Sequence, residues 1–303
     1  MKLMLINLFN TAAFILRHPL VQGARRSTMA RWFAWHVSSY LLKAPVIVPW
    51  VNGSRLIIKK GMTGATGNYY CGLHEFADMG FLLHYLKAGD LFLDLGANVG
   101  SYTVLAASVS RANVISVEPI PRTFEQLTDN VRVNAIESLV DAKNVGLGAE
   151  NGMLRFSSDR DTENHVLDPA EVARVAEIAV PVVRLDDLVA GQAPSMIKLD
   201  VEGYESAVLL GGQVTFTMPS LQAVLIEVNG AGARYGYKDE DIRRKLRSWG
   251  FEACRYDPLT RLLCIVDDGI ASLSGNTLYV RGVSTVQRKL KAARPFQVLG
   301  RSI

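Results

Sequence analysis

The chain of 303 residues carries only three cysteines, Cys71, Cys254 and Cys264, an odd number at wide spacings. That excludes a disulfide framework and a cysteine-based metal site, and it fits a reducing compartment, so the expected location is the cytoplasm. No apolar run reaches the about eighteen residues that a membrane span needs; residues 3–16 are apolar but broken by Asn7, Asn10 and Thr11. Lys2 before that run has the outline of a secretion signal, yet no small-x-small cleavage site follows before His18-Pro19, and none is expected. Internal repeats and low-complexity tracts are absent. Acid is missing from residues 1–74, which hold nine bases; it first appears at Glu75, and the remaining 24 bases face 29 acids, a balance of −5. A basic arm on an acidic body predicts an anionic partner for the arm.

Also missing is the three-glycine fingerprint of dinucleotide binding. What stands in its place, from Asp90 to Pro119, reads strand, glycine turn, helix, strand, acid. Leu91 to Leu95 is a short apolar run suited to a buried parallel strand. It breaks into Gly96-Ala97-Asn98-Val99-Gly100; Ser101 to Ser110 reads as a helix; Val114 to Val117 is a second strand ending on Glu118. Asn98 stands where a middle glycine is expected, and Asn enters left-handed backbone space more cheaply than most residues. Asp94 inside the strand would repel a pyrophosphate, whereas S-adenosylmethionine (SAM) carries an ammonium, a carboxylate and a sulfonium and no phosphate. Glu118 at the strand tip suits a pair of ribose hydroxyls. The motif therefore leans toward SAM over NAD.

A second motif, Met196 to Glu205 (MIKLDVEGYE), is a strand ending in acids. Together DLGANVGSYT, VEP, the Asn130/Asn134 pair, VRLDDL at 183–188 and IKLDVEGYE resemble the FkbM family of SAM-dependent methyltransferases, over about residues 60 to 265. The resemblance implies an α/β fold of the class I methyltransferase type: a mostly parallel Rossmann-like sheet with helices on both faces and an antiparallel closing strand. It also implies O-methylation, often of sugars or other small hydroxylated metabolites. The expected cofactor-binding residues are Glu75, Asp94, Gly96, Asn98, Gly100, Glu118, Asn144 and Val145; Tyr69 and Tyr70 are further candidates for the pocket.

Reacting groups in open α/β sheets gather at the carboxyl ends of strands. The expected catalytic set is Asp200, Glu202, Lys198 and His165, one of Asp200, Glu202 or His165 taking the acceptor proton, and Lys198 stabilising the acceptor or pairing with Asp200. Simpler roles are a helix cap for Asp200, a solvent-exposed loop position for His165, a helix N-terminal acid for Glu75 and a C-cap for Asn134. A second mechanism has Asp200, Glu227 and Asn229 binding Mg²⁺; the direct base is favoured, and no metal site is assigned. A nicotinamide oxidoreductase on a similar sheet is the competing function, and a non-catalytic sensor of the same ligand a third; the full set of strand-end acids argues against the sensor.

Three parts are expected: a basic helical arm and hairpin at 1–74, the methyltransferase domain at 75–270, and a C-terminal extension at 271–303. In the arm, a helix from Ser27 to Leu42 is read as a lid on the catalytic domain, with a peripheral position at the inner membrane face as the alternative. The arm's aromatics show no nucleic-acid motif. VIVPWV and SRLIIKK around Asn52-Gly53 read as a hairpin, and Gly61 to Gly67 as a loop. Ser157 to Ala179 reads as a substrate-facing flap.

Overall fold

The computed structural model describes residues 11–41, 44–157, 164–167, 176–267 and 275–303. The arm supplies helix α1 (Arg25–Leu41) and the expected hairpin, β1 (Val46–Pro49) with β2 (Arg55–Ile58). Its turn is built on Asn52 and Gly53, both at positive φ. Residues 61–67, expected as a loop, lead instead into helix α2 (Thr63–Cys71). Glycine and threonine are weak helix formers; here tertiary contacts decide. Asn68 is buried, donates to Ser101 Oγ at 3.2 Å and accepts from the His74 backbone at 2.7 Å.

Helix α3 (Phe76–Tyr85) precedes strand β3 (Leu91–Leu95); α4 (Ser101–Val104) continues through a π turn (Leu105–Val109) to β4 (Asn113–Val117). Helix α5 (Pro121–Val133) and strand β5 (Val140–Lys143) follow. Asn130 and Asn134 on α5 do more than cap it: their side-chain oxygens accept from the Ile57 and Arg55 backbones at 2.8 Å each, which fastens the hairpin to the helix.

The chain then leaves the main sheet. β6 (Gly146–Gly148), β7 (Gly152–Ser157) and β8 (Glu177–Arg184) form a three-stranded sheet of their own. Of the flap expected at 157–179, residues 158–163 and 168–175 lie outside the described residues.

Strand β9 (Met196–Leu199), helix α6 (Glu205–Gly211), strand β10 (Ala223–Glu227) and helix α7 (Asp239–Ser248) return to the sheet. It ends with β11 (Glu252–Asp257), β12 (Leu262–Ile265) and β13 (Asn276–Val280). The order across it is β12-β11-β13-β10-β9-β3-β4-β5. β5, β4, β3, β9 and β10 are parallel, and β13 runs antiparallel between β10 and β11. Residues 276–280, expected in a C-terminal extension, thus complete the interior of the sheet. The hairpin of β11 with β12 forms the outer edge. Beyond it, helix α8 (Val283–Lys291) and the short pair β14 (Gln297–Val298) and β15 (Arg301–Ser302) place residues that the sequence leaves unassigned.

Strand alternation sorts the core into two layers. Leu93, Leu95, Ile197, Leu199, Val224 and Ile226 pack with α6 and α7 on one face; Phe92, Val114 and Leu225 pack with α3, α5 and the hairpin on the other. The strand order reverses between β3 and β9, the point where open α/β sheets build their ligand crevice.

Candidate active site

A cavity of about 370 Å³ opens at the carboxyl ends of β3, β4 and β9. Gly96, Asn98, Glu118, Val145, Glu75, Lys198, Asp200 and Glu202 all border it. Asp94, Gly100, Asn144 and His165 do not.

The floor is the turn after β3. Gly96 has φ 80°, and a Cβ there would sit 1.7 Å from the Asp200 carbonyl oxygen, so only glycine lets β3 and β9 release their chains side by side. Asn98 takes the left-handed conformation that its sequence position requires, φ 51°. Gly100, at φ 85°, clears Leu127 of α5, where a Cβ would come within 2.3 Å of its methyl group. Asp94 lies beneath the turn: it is buried and accepts from Thr103 Oγ1 at 2.6 Å, and Thr103 is 2.7 Å from Ser116. Burial pushes its pKa up, with the Lys198 ammonium and the Thr103 hydroxyl pulling the other way. Asp94 anchors the helix after the turn and does not reach the cavity. Asn144 likewise works behind the wall, donating to the carbonyls of Glu118 (2.8 Å) and Pro119 (3.0 Å).

Glu118 is the acid of the opposite wall. It is buried at the end of β4, its two oxygens accepting from the backbones of Asn98 and Ile120 at 3.0 Å each. Burial raises its pKa to about 7 against the pull of those two N–H groups. A fixed carboxylate with remaining lone pairs directed at the cavity is the donor-acceptor complement of vicinal hydroxyls.

At the far wall, Lys198 Nζ pairs with Asp200 Oδ2 at 2.6 Å and lies 4.9 Å from the centre of the Tyr102 ring. Burial disfavours the ammonium, but Asp200, Glu75 and Asp94 outweigh it and hold the lysine charged. Asp200 is no helix cap, since Tyr204 occupies that position before α6. Glu75 stands at the N-cap of α3, as a helix N-terminal acid would, and its oxygens also accept from Tyr102 Oη at 2.7 Å and Asn276 Nδ2 at 3.1 Å, tying α3 to α4 and β13. Tyr69 and Tyr70 face α1, where Arg31 donates to the Tyr69 carbonyl at 3.0 Å.

Glu202 holds φ 54°, a left-handed conformation unusual for a glutamate and of the kind that collects at functional sites. Two neighbours enforce it: Glu205 Oε1 accepts from the backbones of Val201 and Gly203 at 3.1 Å each, and Gly203 has no room for a Cβ beside Ala231. Burial lifts the Glu205 pKa to about 7. Asp200, Glu202 and Glu227 bring carboxylate oxygens within 4.8 Å of one another. Burial first, then the charges of Asp200 and Glu202, push Glu227 up to about 8, and its Oε2 has no hydrogen-bond partner among the described residues. Asn229, expected beside Asp200 and Glu227, instead accepts from the Ala231 backbone at 2.9 Å and turns the chain.

His165 is buried, not solvent-exposed; its backbone N–H donates to Ser157 Oγ at 3.1 Å and its carbonyl accepts from the Ser157 N–H at 3.0 Å, which holds it against β7. Its neighbours Asn164 and Val166 border the cavity, and alternation turns His165 away. Sequence reasoning missed Tyr102, Asn276 and Glu205; the last was legible as an acid four positions past Val201, within reach of the turn's N–H groups.

The sheet order, its reversal at β3/β9 and the acid-flanked glycine turn define a Rossmann-like domain of the class I methyltransferase type. The profile of the methyltransferase FkbM domain matches residues 94–253, and the chain belongs to that family. The hexuronic acid methyltransferase AglP of Haloferax volcanii is 28% identical over 168 residues, covering 54% of this chain and 64% of that protein. The chain therefore spans under two thirds of that relative. Among solved structures, the FkbM methyltransferase of Methylobacillus flagellatus KT aligns with TM-score 0.43 and 17% identity over 63% of this chain and 43% of that one. An rRNA methylase of Streptococcus thermophilus aligns with TM-score 0.38 and 13% identity, over 67% and 91%.

Proposed function

We propose that the chain is a SAM-dependent O-methyltransferase whose acceptor is a sugar or another small hydroxylated metabolite. The observation that carries the cofactor assignment is Glu118: a buried, doubly oriented carboxylate at the tip of the strand beside a glycine turn with no phosphate-binding glycine set. Glu118 would hold the ribose hydroxyls, the Gly96–Gly100 turn would take the amino-acid end, and Val145 would flank the adenine. When bound, SAM supplies the methyl group as an electrophilic carbon on sulfur.

The acceptor would lie against Asp200 and Glu202. A sugar hydroxyl is a very weak acid, so its proton needs a base. Asp200 takes that proton, its carboxylate held in place through Oδ2 by Lys198. The remaining contribution is orientation, for which the walls of β3 and β9 and the Glu205-braced loop are rigid supports. Asp200, Glu202 and Glu227 are also the oxygen-donor set of a hard divalent cation; turnover unaffected by EDTA is the expected result for the direct base.

Charge narrows the acceptor. Among the described residues bordering the cavity, Glu75, Glu118, Asp200 and Glu202 face the single ammonium of Lys198, and burial holds His74 toward its neutral form. A negative wall disfavours an anionic acceptor. Calorimetry with SAM and NAD side by side tests the cofactor: SAM is expected to bind and NAD to leave no heat. Binding of NAD in place of SAM would overturn the assignment and favour an oxidoreductase.

A further inference from the structure

Helix α1 is oriented in an unusual way. Its inward face carries Thr28, Trp35 and Ser39, all buried, with the Arg31 guanidinium bonded to backbone carbonyls of α2. Its outward face carries Phe33, Val37, Tyr40 and Leu41, which are 65%, 45%, 76% and 72% exposed. Positions 33, 37, 40 and 41 fall on one side of a helix, so the four side chains form a continuous apolar ridge open to solvent. Val46 and Ile47 of β1 add exposed apolar surface just beyond the helix. A ridge of this kind on a domain that already owns a full core marks a docking surface.

The charges around it identify the occupant. Arg25 and Arg26 are exposed in the first turn of α1, about two turns before Phe33, and Lys60 Nζ lies 6.0 Å from the Tyr40 ring at the other end of the ridge. No acid occurs before Glu75. An apolar stripe about 12 Å long, with cations beyond one end and beside the other, matches a bilayer interface, where acyl chains take the ridge and anionic headgroups the bases. Nucleic acid would call for bases and stacking aromatics interleaved along the stripe. No described helix is long and apolar enough to cross a membrane, so the contact is peripheral.

We propose that the outward face of α1 docks this protein onto a bilayer containing anionic phospholipid. Residues Met62 to Ala65, at and before the start of α2, border the cavity, so the docked face lies one helix away from the site. The inference is independent of the methyl-transfer assignment, because it reads only partition onto lipid.

The test is co-sedimentation of the full chain with vesicles of phosphatidylcholine alone and of phosphatidylcholine mixed with phosphatidylglycerol. Binding is expected to the mixed vesicles and to weaken with added salt. A variant carrying Phe33→Ser, Tyr40→Ser and Leu41→Ser should lose about tenfold or more in partition. Arg25→Gln with Arg26→Gln, which leaves the core untouched, should lose roughly fivefold for each base removed. Circular dichroism melts of both variants establish folding; should the ridge variant fail to fold, the charge variant and the salt titration decide. The proposal is overturned if the chain stays in the supernatant with mixed vesicles, or if folded variants bind as the parent does. It is also overturned if sedimentation velocity shows the ridge buried in a dimer that the serine variant dissolves.

Discussion

The roles proposed for Glu118 and Asp200 fall on two walls of the cavity, and each has its own readout. Glu118→Ala removes a carboxylate that both backbone neighbours orient; SAM affinity in calorimetry should fall about tenfold or more, as for other charge-assisted hydrogen bonds. Asp200→Asn keeps the size of the side chain and its reach to Lys198 while removing the base. Turnover should fall about 100-fold to 10,000-fold with SAM affinity within a few-fold of the parent. Retained turnover would remove Asp200 from the chemistry. Both residues were legible in the sequence because each follows an apolar strand directly. His165 was misplaced because alternation decides which way a side chain points, and Asp94 because it lies inside β3, two positions short of the Gly96 turn, where Thr103 covers it. The partners that make the site rigid, Tyr102 and Asn276, left no local signal, since Asn276 meets Glu75 across 201 positions of chain.

At the level of elements, the strand-turn-helix unit around Gly96 was readable because its steric demands are local: two positive-φ glycines and an asparagine that substitutes for a third. The short helix at Thr63–Cys71 was not, because its support comes from Ser101 and His74 rather than from its own residues. The same distinction governs the hairpin. Asn52-Gly53 announces it, yet Asn130 holds it in place through Ile57, and also donates to the Val99 carbonyl at 2.8 Å. Asn130→Ala leaves a backbone donor and acceptor without partners in a buried setting, at a cost of about 1–3 kcal/mol. The melting temperature should drop by several degrees, whereas Asn134→Ala, at a more exposed contact, should cost less. Equal losses in the two variants would show that burial at Asn130 is not what matters.

Across the whole molecule, charge is the unusual quantity. Three carboxyl groups, Glu118 and Glu205, both buried, and the half-buried Glu227, have pKa values raised to about 7, 7 and 8. Their unfolded values lie near 4.5, so between about pH 4.5 and 8 the folded chain binds more protons than the unfolded chain. Stability from these groups is full below that window and is lost as pH rises through it. The ligand-free protein should therefore melt higher at pH 6 than at pH 8. Glu227→Gln, which stays uncharged, should flatten that slope and raise the melting temperature at pH 8 by about 2–4 °C. An unchanged slope in Glu227→Gln would mean that Glu227 is ionised at little cost in the fold.

The insertion of Asn276–Val280 between two strands made earlier also sets the order in which a nascent chain can mature. Until a ribosome has delivered residue 280 clear of its exit tunnel, Ala223–Glu227 and Glu252–Asp257 each keep a row of unsatisfied peptide groups. The half of the molecule holding Glu227 thus closes only after Asn276–Val280 has emerged, and a polypeptide stalled before that point would be the form most in need of a chaperone.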